Sequence, residues 1–183
     1  MDSATPNYAE YTVEKKCEGS YRLKRLGMKI LTWIPGIVLT LVFMILQIPA
    51  WVIMLPVYPL IWMKIFKPLL YPFVYIEYEY QIIAGSMQIA KILGKCRRKQ
   101  MLDLNISEMK VIAPYSGATK AAADAPDIKK RYECVSSMKA DEVYYAIFEK
   151  DGEKNVLFFE PTNKALKLMY FHNKNTVVTQ VRI

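Results

Sequence analysis

The fold is decided by residues 30–63, which read ILTWIPGIVLTLVFMILQIPAWVIMLPVYPLIWM and include no charged side chain. The run is thirty-four residues long, whereas about twenty apolar residues are enough to cross the hydrocarbon core of a bilayer. An uncharged run of this length is too long for a core helix of so small a soluble domain. The sequence therefore predicts a membrane protein.

The length of the run indicates two crossings rather than one. A single helix over this run would be about 50 Å long at about 1.5 Å per residue, far more than the roughly 30 Å hydrocarbon core. Pro49 stands near the middle, and proline breaks a helix because it has no backbone N–H to donate. We therefore predict a transmembrane hairpin over residues 29–73, with helices at about 29–46 and 50–66.

Basic residues on both sides of the run predict its orientation. They are Arg22, Lys24, Arg25 and Lys29 before the run and Lys64 and Lys67 after it. Because basic residues prefer the cytoplasmic side, we expect a multi-pass protein of the cell (inner) membrane with both termini in the cytoplasm. Residues 1–28 are interpreted as a cytoplasmic tail and a basic juxtamembrane segment. Pro56 and Pro59 leave open an alternative in which the second segment is re-entrant.

Composition excludes several classes of function. The chain has 183 residues and a formal charge of +8, and no segment is basic enough to predict nucleic-acid binding. Its cysteines, Cys17, Cys96 and Cys134, are scattered, and with the single His172 they cannot form a metal site. We interpret them as free thiols in a reducing compartment. No cofactor is predicted.

After residue 74 the sequence acquires the two-residue period of β-strands. In the segment IEYEYQI, residues 76–82, apolar and polar side chains alternate, which is typical of a half-buried strand. Further strands are predicted at 87–93, 102–106, 109–113, 131–136, 142–150 and 155–159. Residues 115–130 are interpreted as a loop with at most one helical turn. The sequence thus predicts seven short strands.

Two local signals complete this part of the chain. Asp151-Gly152 separates the last two strands and suits the positive φ angles of a tight hairpin turn. Leu166, Met169 and Tyr170 give an apolar face to a predicted helix over residues 161–172.

Several short motifs carry a resemblance to a known family. They are YIEYEY (75–80), GSMQIAKI (85–92), RRK (97–99), IAP (112–114), NYAE (7–10) and VEKK (13–16). The chain resembles small bacterial two-span membrane proteins of unknown function that carry a pleckstrin-homology-like (PH-like) domain after the hairpin. The resemblance implies an α+β membrane protein in which residues 74–183 form a cytoplasmic PH-like antiparallel β-sandwich or barrel, closed by the C-terminal helix.

No catalytic constellation is evident, and we predict that the chain is not an enzyme. His172 lies at a predicted helix end and has no nucleophile beside it in the sequence, and no phosphate-loop or zinc-protease motif occurs. Glu77 and Glu79 share a strand face about 7 Å apart and are interpreted as solvated. An enzyme acting on lipid at the membrane surface is a further hypothesis, which turnover abolished by a point change at His172, Glu77 or Glu79 would support.

The candidate binding residues are Lys95, Arg97, Arg98 and Lys99, which cluster on a predicted hairpin. Close to a membrane, such cations can attract anionic head groups. The alternative is an ordinary solvated turn.

Two functions follow from these features. The first is a membrane-tethered, non-enzymatic binding or scaffolding module that presents its PH-like domain to lipid or to an unknown protein partner. The alternative is an accessory, channel-like or transporter-associated subunit whose proline-rich helices form homo-oligomers. No charged residue lines the spans, although transport pathways commonly contain one.

Overall fold

The structure is a computed structural model that describes residues 8–49 and 51–178. Four side chains lie outside this description: Trp51, Met54, Lys67 and Ala118. The backbone forms two compact units. Residues 16–76 and 92–98 form the helical unit, and the remaining described residues form the β unit.

Within the described residues, the helical unit contains three α-helices and one π-helical turn. They are α1 (Gly19–Ile45), α2 (Trp51–Ile61), the π-helical turn (Trp62–Phe66) and α3 (Lys67–Val74). The last three follow one another without a break, so the second half of the unit is one helical segment. Pro68 lies at the start of α3, directly after the π-helical turn.

The second helical segment runs antiparallel to α1. The Trp33 ring stacks on Trp62, with ring centroids 5.8 Å apart. Further along α1, Gly36 faces the ring of Tyr58. Because a later residue of α1 meets an earlier residue of the second segment, the two lie side by side in opposite directions.

Gly36 sets how closely these helices approach. A Cβ atom at this position would lie only 2.3–2.5 Å from carbons of the Tyr58 ring. The Tyr58 hydroxyl also donates a hydrogen bond to the backbone carbonyl of Thr32, one turn earlier in α1. A small residue at a helix–helix contact allows this kind of close packing.

One described helix, α1, is long and apolar enough to cross a membrane. Its 27 residues rise about 40 Å, and only 11% of its most apolar window is buried. The helix starts at Gly19, so the basic juxtamembrane segment is its first part rather than a separate region. Leu55–Phe66 is apolar but shorter, and a second crossing stays a prediction at this point.

The β unit contains two four-stranded sheets within the described residues. The strands are β1 (Tyr8–Glu14), β2 (Ile76–Ile83), β3 (Ser86–Leu93), β4 (Arg97–Asn105), β5 (Val111–Pro114), β6 (Lys130–Glu133), β7 (Tyr144–Lys150) and β8 (Glu153–Phe159). The strand orders are β1-β2-β3-β4 and β5-β7-β8-β6. The seven strands predicted after residue 74 are therefore present. β6 departs from the antiparallel prediction because it runs parallel to β8.

The tail predicted over residues 1–28 is wrong for Tyr8–Glu14. This segment forms β1, which pairs antiparallel with the whole of β2. Ala9 is 3% exposed, and the more buried positions alternate with exposed ones along the strand. The same two-residue period is visible in the sequence, but a short strand separated from the rest by a long apolar run gives only a weak local signal.

The helical unit is inserted between two neighbouring strands. Glu14, at the end of β1, lies opposite Glu77, near the start of β2. The chain therefore leaves the β unit and returns to it at adjacent positions of one sheet. The predicted domain at 74–183 is accordingly incomplete, because its first strand lies before the helices.

The C-terminal helix forms close to its predicted place, as α5 (Asn163–His172). The side chain of Thr162 caps it by accepting a hydrogen bond from the backbone N–H of Ala165, at 3.2 Å. The buried face consists of Ala165, Leu166, Leu168 and Met169. Tyr170, predicted on that face, is 38% exposed, because the buried stripe continues through Leu168 instead.

Two predicted turns are also present. Asp151 and Gly152 join β7 to β8 with φ angles of 57° and 75°, as the hairpin prediction requires. The predicted loop at 115–130 contains a 3₁₀ turn followed by α4 (Lys120–Ala123).

A buried tyrosine pair ties β1 to the interior of the β unit. The rings of Tyr11 and Tyr80 stack with centroids 4.8 Å apart. The Tyr80 hydroxyl donates to the backbone carbonyl of Cys134. Burial raises the pKa of both tyrosines and raises the pKa of the Cys134 thiol to about 12. At neutral pH this thiol is therefore protonated and unreactive.

We predict that Gly36→Ala separates the two helical segments, because the added methyl group overlaps the Tyr58 ring. Overpacking of this kind costs about 1–3 kcal/mol. Gly27→Ala is the matched control, because a Cβ there meets nothing within 4 Å and alanine favours a helix by up to about 1 kcal/mol. Thermal unfolding in detergent, followed by circular dichroism, should show a lower melting temperature for the first variant only. Equal melting temperatures would contradict the packing.

Candidate functional site

The residues considered for catalysis are separated in the structure. His172 lies at the end of α5 and packs on the β2–β3 turn, where a Cβ at Gly85 would be 3.1 Å from its Nδ1. Glu77 lies opposite Glu14, and Glu79 opposite Thr12, on paired strands. Among the residues that the structure describes, no group of three or more His, Cys, Asp or Glu side chains could hold a metal ion. The absence of enzymatic activity stays a prediction.

The predicted basic hairpin is the turn between β3 and β4, and it packs against the end of α3. The Gly94 N–H donates a hydrogen bond of 2.7 Å to the backbone carbonyl of Tyr75. A Cβ at Gly94 would lie 2.6 Å from the nitrogen of Pro72 and 2.8 Å from the carbonyl carbon of Tyr71. The close approach therefore requires glycine, as does the positive φ of 61° at Gly94.

This contact brings most of the predicted cations to the helical unit. Lys95, Arg97 and Arg98 are exposed and belong to the helical unit, whereas Lys99 is exposed and belongs to the β unit. Lys95 therefore lies on a turn whose backbone is fixed to the end of α3, and Arg97 and Arg98 are the first two residues of β4 after it. The binding role predicted for all four remains a prediction.

Arg25 of α1 meets the same end of α3. Its guanidinium lies 4.1 Å from the centroid of the Tyr75 ring, a cation–π contact. The guanidinium also donates to Cys17 Sγ. This cation lowers the pKa of the Tyr75 hydroxyl because it favours the phenolate. Tyr75 thus contacts both the β3–β4 turn and α1.

Aromatic rings continue from Tyr75 into the helical unit. Tyr75 stacks on Tyr71 at a centroid distance of 4.4 Å, and Tyr71 meets the edge of Trp62 at 6.3 Å. Trp62 then stacks on Trp33, which lies 6.0 Å from Tyr58. The structure joins them into one row.

A cleft of about 310 Å³ lies beside this row, between α1 and the second helical segment. Arg25 and Lys29 line one part of it, and Trp33, Trp62 and Phe66 line another. The cleft is amphipathic, because two cations and several aromatic rings share one cavity. An anion with an apolar portion is the chemistry that it can accommodate.

The predicted membrane-proximal cations differ in their placement. Arg25 and Lys29 line the cleft, and Arg22 precedes Arg25 by three residues on the same helical face. Lys24 lies on α1 outside the cleft lining, and Lys64 is exposed in the π-helical turn. The Lys67 side chain lies outside the described part of the chain. Residues 25, 29 and 33 are four apart, which places them on one face of a helix. This spacing was a sequence signal for the cleft, but it does not show which other segment that face packs against.

Charge is divided unequally between the two units. The helical unit holds ten Lys and Arg residues and one acidic residue, Glu18. The rest of the chain holds fifteen Lys and Arg residues and sixteen acidic residues. The positive charge of the protein therefore belongs to the helical unit.

Comparison with known proteins identifies the architecture. Residues 5–179 match the model of a family described as a bacterial PH-like domain (DUF6106). The match includes β1, the helical unit and α5. No curated protein and no solved structure matches the chain.

We predict that Gly94→Ala releases the β3–β4 turn from α3, because its Cβ would overlap backbone atoms of Pro72 and Tyr71. Gly152→Ala is the matched control, because it also has a positive φ, 75°, but meets nothing within 4 Å. Both variants lose about 1–2 kcal/mol to the left-handed conformation. Limited trypsin digestion should cut after Arg97 and Arg98 faster in Gly94→Ala only. Equal cutting in both variants would contradict the contact.

Proposed function

The chain belongs to the bacterial PH-like domain family, and from this membership we propose that it is a membrane-tethered, non-enzymatic binding module. In this proposal the helical unit is the anchor and the β unit is presented at the cytoplasmic face of the cell membrane. The family has no assigned activity, so the proposal is argued from the residues of this chain.

The pairing of Glu14 with Glu77 is the observation that carries the proposal. It fixes both ends of the helical unit at adjacent positions of one sheet, so both ends lie on the same side of any membrane. If α1 crosses, the second segment must cross back. Trp51–Val74 is helical throughout, and at about 1.5 Å per residue its 24 residues extend about 36 Å, enough for a core of about 30 Å. This length supports a full crossing over a re-entrant segment.

The distribution of charge supports the cytoplasmic side. Lys and Arg are concentrated at the end of the helical unit that joins the β unit: Arg22, Lys24, Arg25 and Lys29 in α1, Lys95 on the β3–β4 turn, and Arg97 and Arg98 at the start of β4. The opposite end, residues 46–50, has no charge. The positive-inside rule then favours a cytoplasmic β unit.

The near balance of charge in the β unit favours a binding role. Its charge is close to balanced, and the exposed cations that adjoin it lie on the β3–β4 turn. A balanced surface beside a basic anchor suits a module that is held at the anionic inner leaflet and binds a protein from the cytoplasm.

The orientation can be tested with the cysteines of the chain. Cys96 is exposed on the β3–β4 turn and Cys134 is buried, so we expect a membrane-impermeant maleimide to label Cys96 in inside-out vesicles but not in intact spheroplasts. A Gln47→Cys variant, at the turn after α1, should show the opposite pattern in a background that also carries Cys17→Ser and Cys96→Ser. Cys134 should stay unlabelled until the protein is unfolded, and it therefore controls for unfolding of the β unit during the experiment. Labelling of Cys96 in intact spheroplasts would contradict the proposal.

The binding role can be tested by affinity purification in mild detergent. We expect one cytoplasmic protein to be recovered repeatedly with the wild-type chain. Neutralising Lys95, Arg97, Arg98 and Lys99 to Gln should reduce that recovery if the predicted turn makes the contact. Neutralising the exposed residues Lys130, Lys139, Lys164 and Lys167 is the control of equal charge. Recovery of the wild-type protein alone would count against a binding module.

A further inference from the structure

We infer that the cleft of the helical unit binds the head group of an anionic phospholipid, with Arg25 and Lys29 holding its phosphate and Trp62 donating a hydrogen bond to a glycerol ester oxygen below it. The inference rests on the proposed membrane location of the helical unit. It names a specific site within that unit, whereas the proposed function requires only that the unit anchors the protein.

The indole N–H of Trp62 is the first observation that points to a ligand. Its Nε1 atom is buried and has no hydrogen-bond partner among the described residues. Buried donors in folded proteins almost always have an acceptor, because leaving one unpaired loses its hydration without replacement. Trp62 lines the cleft, so an oxygen atom of a bound ligand would supply the missing acceptor.

The state of Arg25 is the second observation. Its side chain is half-buried, and its neighbours are the Tyr75 ring and the Cys17 sulfur. No carboxylate among the described residues forms an ion pair with Arg25 or Lys29. Tyr75 and Cys17 use only part of the five N–H groups of the guanidinium, and the planar set of these groups matches two oxygens of a phosphate.

The layout of the cleft matches the two ends of a phospholipid. Arg25 precedes Trp33 by eight residues of α1, which places the cationic and indole ends about 12 Å apart along the helix. Tryptophan favours the level of the head groups, at the boundary of the hydrocarbon core. The cations would thus lie at the phosphate level and the indoles just below it.

Size and lining favour a lipid over a free phosphate. A volume of about 310 Å³ is at the small end of the range of ligand pockets, about 300–1,000 Å³. It fits a head group and its glycerol, while the acyl chains remain in the bilayer. Phe66 and Leu70 add apolar lining, from which a lipid gains contact area and an inorganic anion gains nothing.

Native mass spectrometry of the full-length protein in mild detergent tests the site directly. Titration with phosphatidylglycerol or phosphatidylcholine gives the apparent Kd of the first bound lipid. We expect the wild type to prefer phosphatidylglycerol. Arg25→Gln should weaken it by about 10-fold or more, because it removes hydrogen bonds between charged groups. Trp62→Phe should weaken it by about 3- to 10-fold, because a hydrogen bond to an uncharged oxygen is weaker.

Two control variants separate the site from general charge and general aromatic character. Lys24→Gln removes the same charge one residue away, outside the cleft lining. Phe73→Leu removes an aromatic ring that is 66% exposed and does not line the cleft. Both should change the apparent Kd by less than about twofold, as expected of surface changes without a specific contact. Arg25→Lys, which keeps the charge but loses the planar fork, should lie between wild type and Arg25→Gln, and melting temperatures identify any variant that fails to fold.

Three results would overturn the inference. They are equal weakening by Arg25→Gln and Lys24→Gln, equal affinity for the two lipids, and full displacement of phosphatidylglycerol by an equal concentration of glycerol 3-phosphate, which would indicate a soluble ligand. The experiment depends neither on topology nor on a protein partner. A failed orientation test with intact lipid selectivity would therefore reject the proposed function alone, and the reverse result would reject the lipid site alone.

Discussion

The structure depends on the backbone pairing of β1 with β2, because this pairing brings together the two ends of the long helical insertion between them. Glu14 and Glu77 lie opposite each other in one sheet, although the whole of α1 and the second helical segment separate them in sequence. A helix that leaves this sheet must therefore be matched by one that returns. The two helical segments accordingly pack antiparallel, with Gly36 of α1 against Tyr58 of the second segment. Their close approach requires a small residue at this contact.

Tyr75 lies between α3 and β2 and makes three contacts. Its carbonyl accepts the Gly94 N–H, its ring lies beneath Arg25, and it stacks on Tyr71. The first contact fixes the β3–β4 turn, and the other two fix α1 and α3 around the aromatic row. These contacts explain why Tyr75 and Gly94, rather than the run of cations, hold this end of the helical unit together.

Charge gives the two units different physical roles. Ten of the cations and only one acid belong to the helical unit, so attraction to an anionic surface, on the order of 1 kcal/mol for each nearby cation, would act mainly on that unit. The β unit is close to neutral and gains little from that attraction. Membership of the bacterial PH-like family spans both units, since the matched residues run from 5 to 179. The helices are therefore part of the family's architecture rather than an unrelated addition.

The features that the sequence by itself determined are local. The uncharged run over residues 30–63 predicted helix long enough to cross a membrane. The alternation of apolar and polar residues after residue 74 predicted β2–β8. Asp151-Gly152 predicted its hairpin, and the spacing of Leu166 and Met169 predicted α5. Each signal lies within a few neighbouring residues, where period and backbone preference act directly.

The tertiary structure alone decided which distant segments meet. β1 was interpreted as tail because its pairing partner lies beyond the helices, and Gly94 gave no sign that it packs on Pro72. Arg25 and Trp62 likewise line one cleft only because α1 and the second segment pack antiparallel. These pairings minimise the energy of the whole chain, through burial and hydrogen bonds between residues far apart in sequence, and no local pattern encodes them.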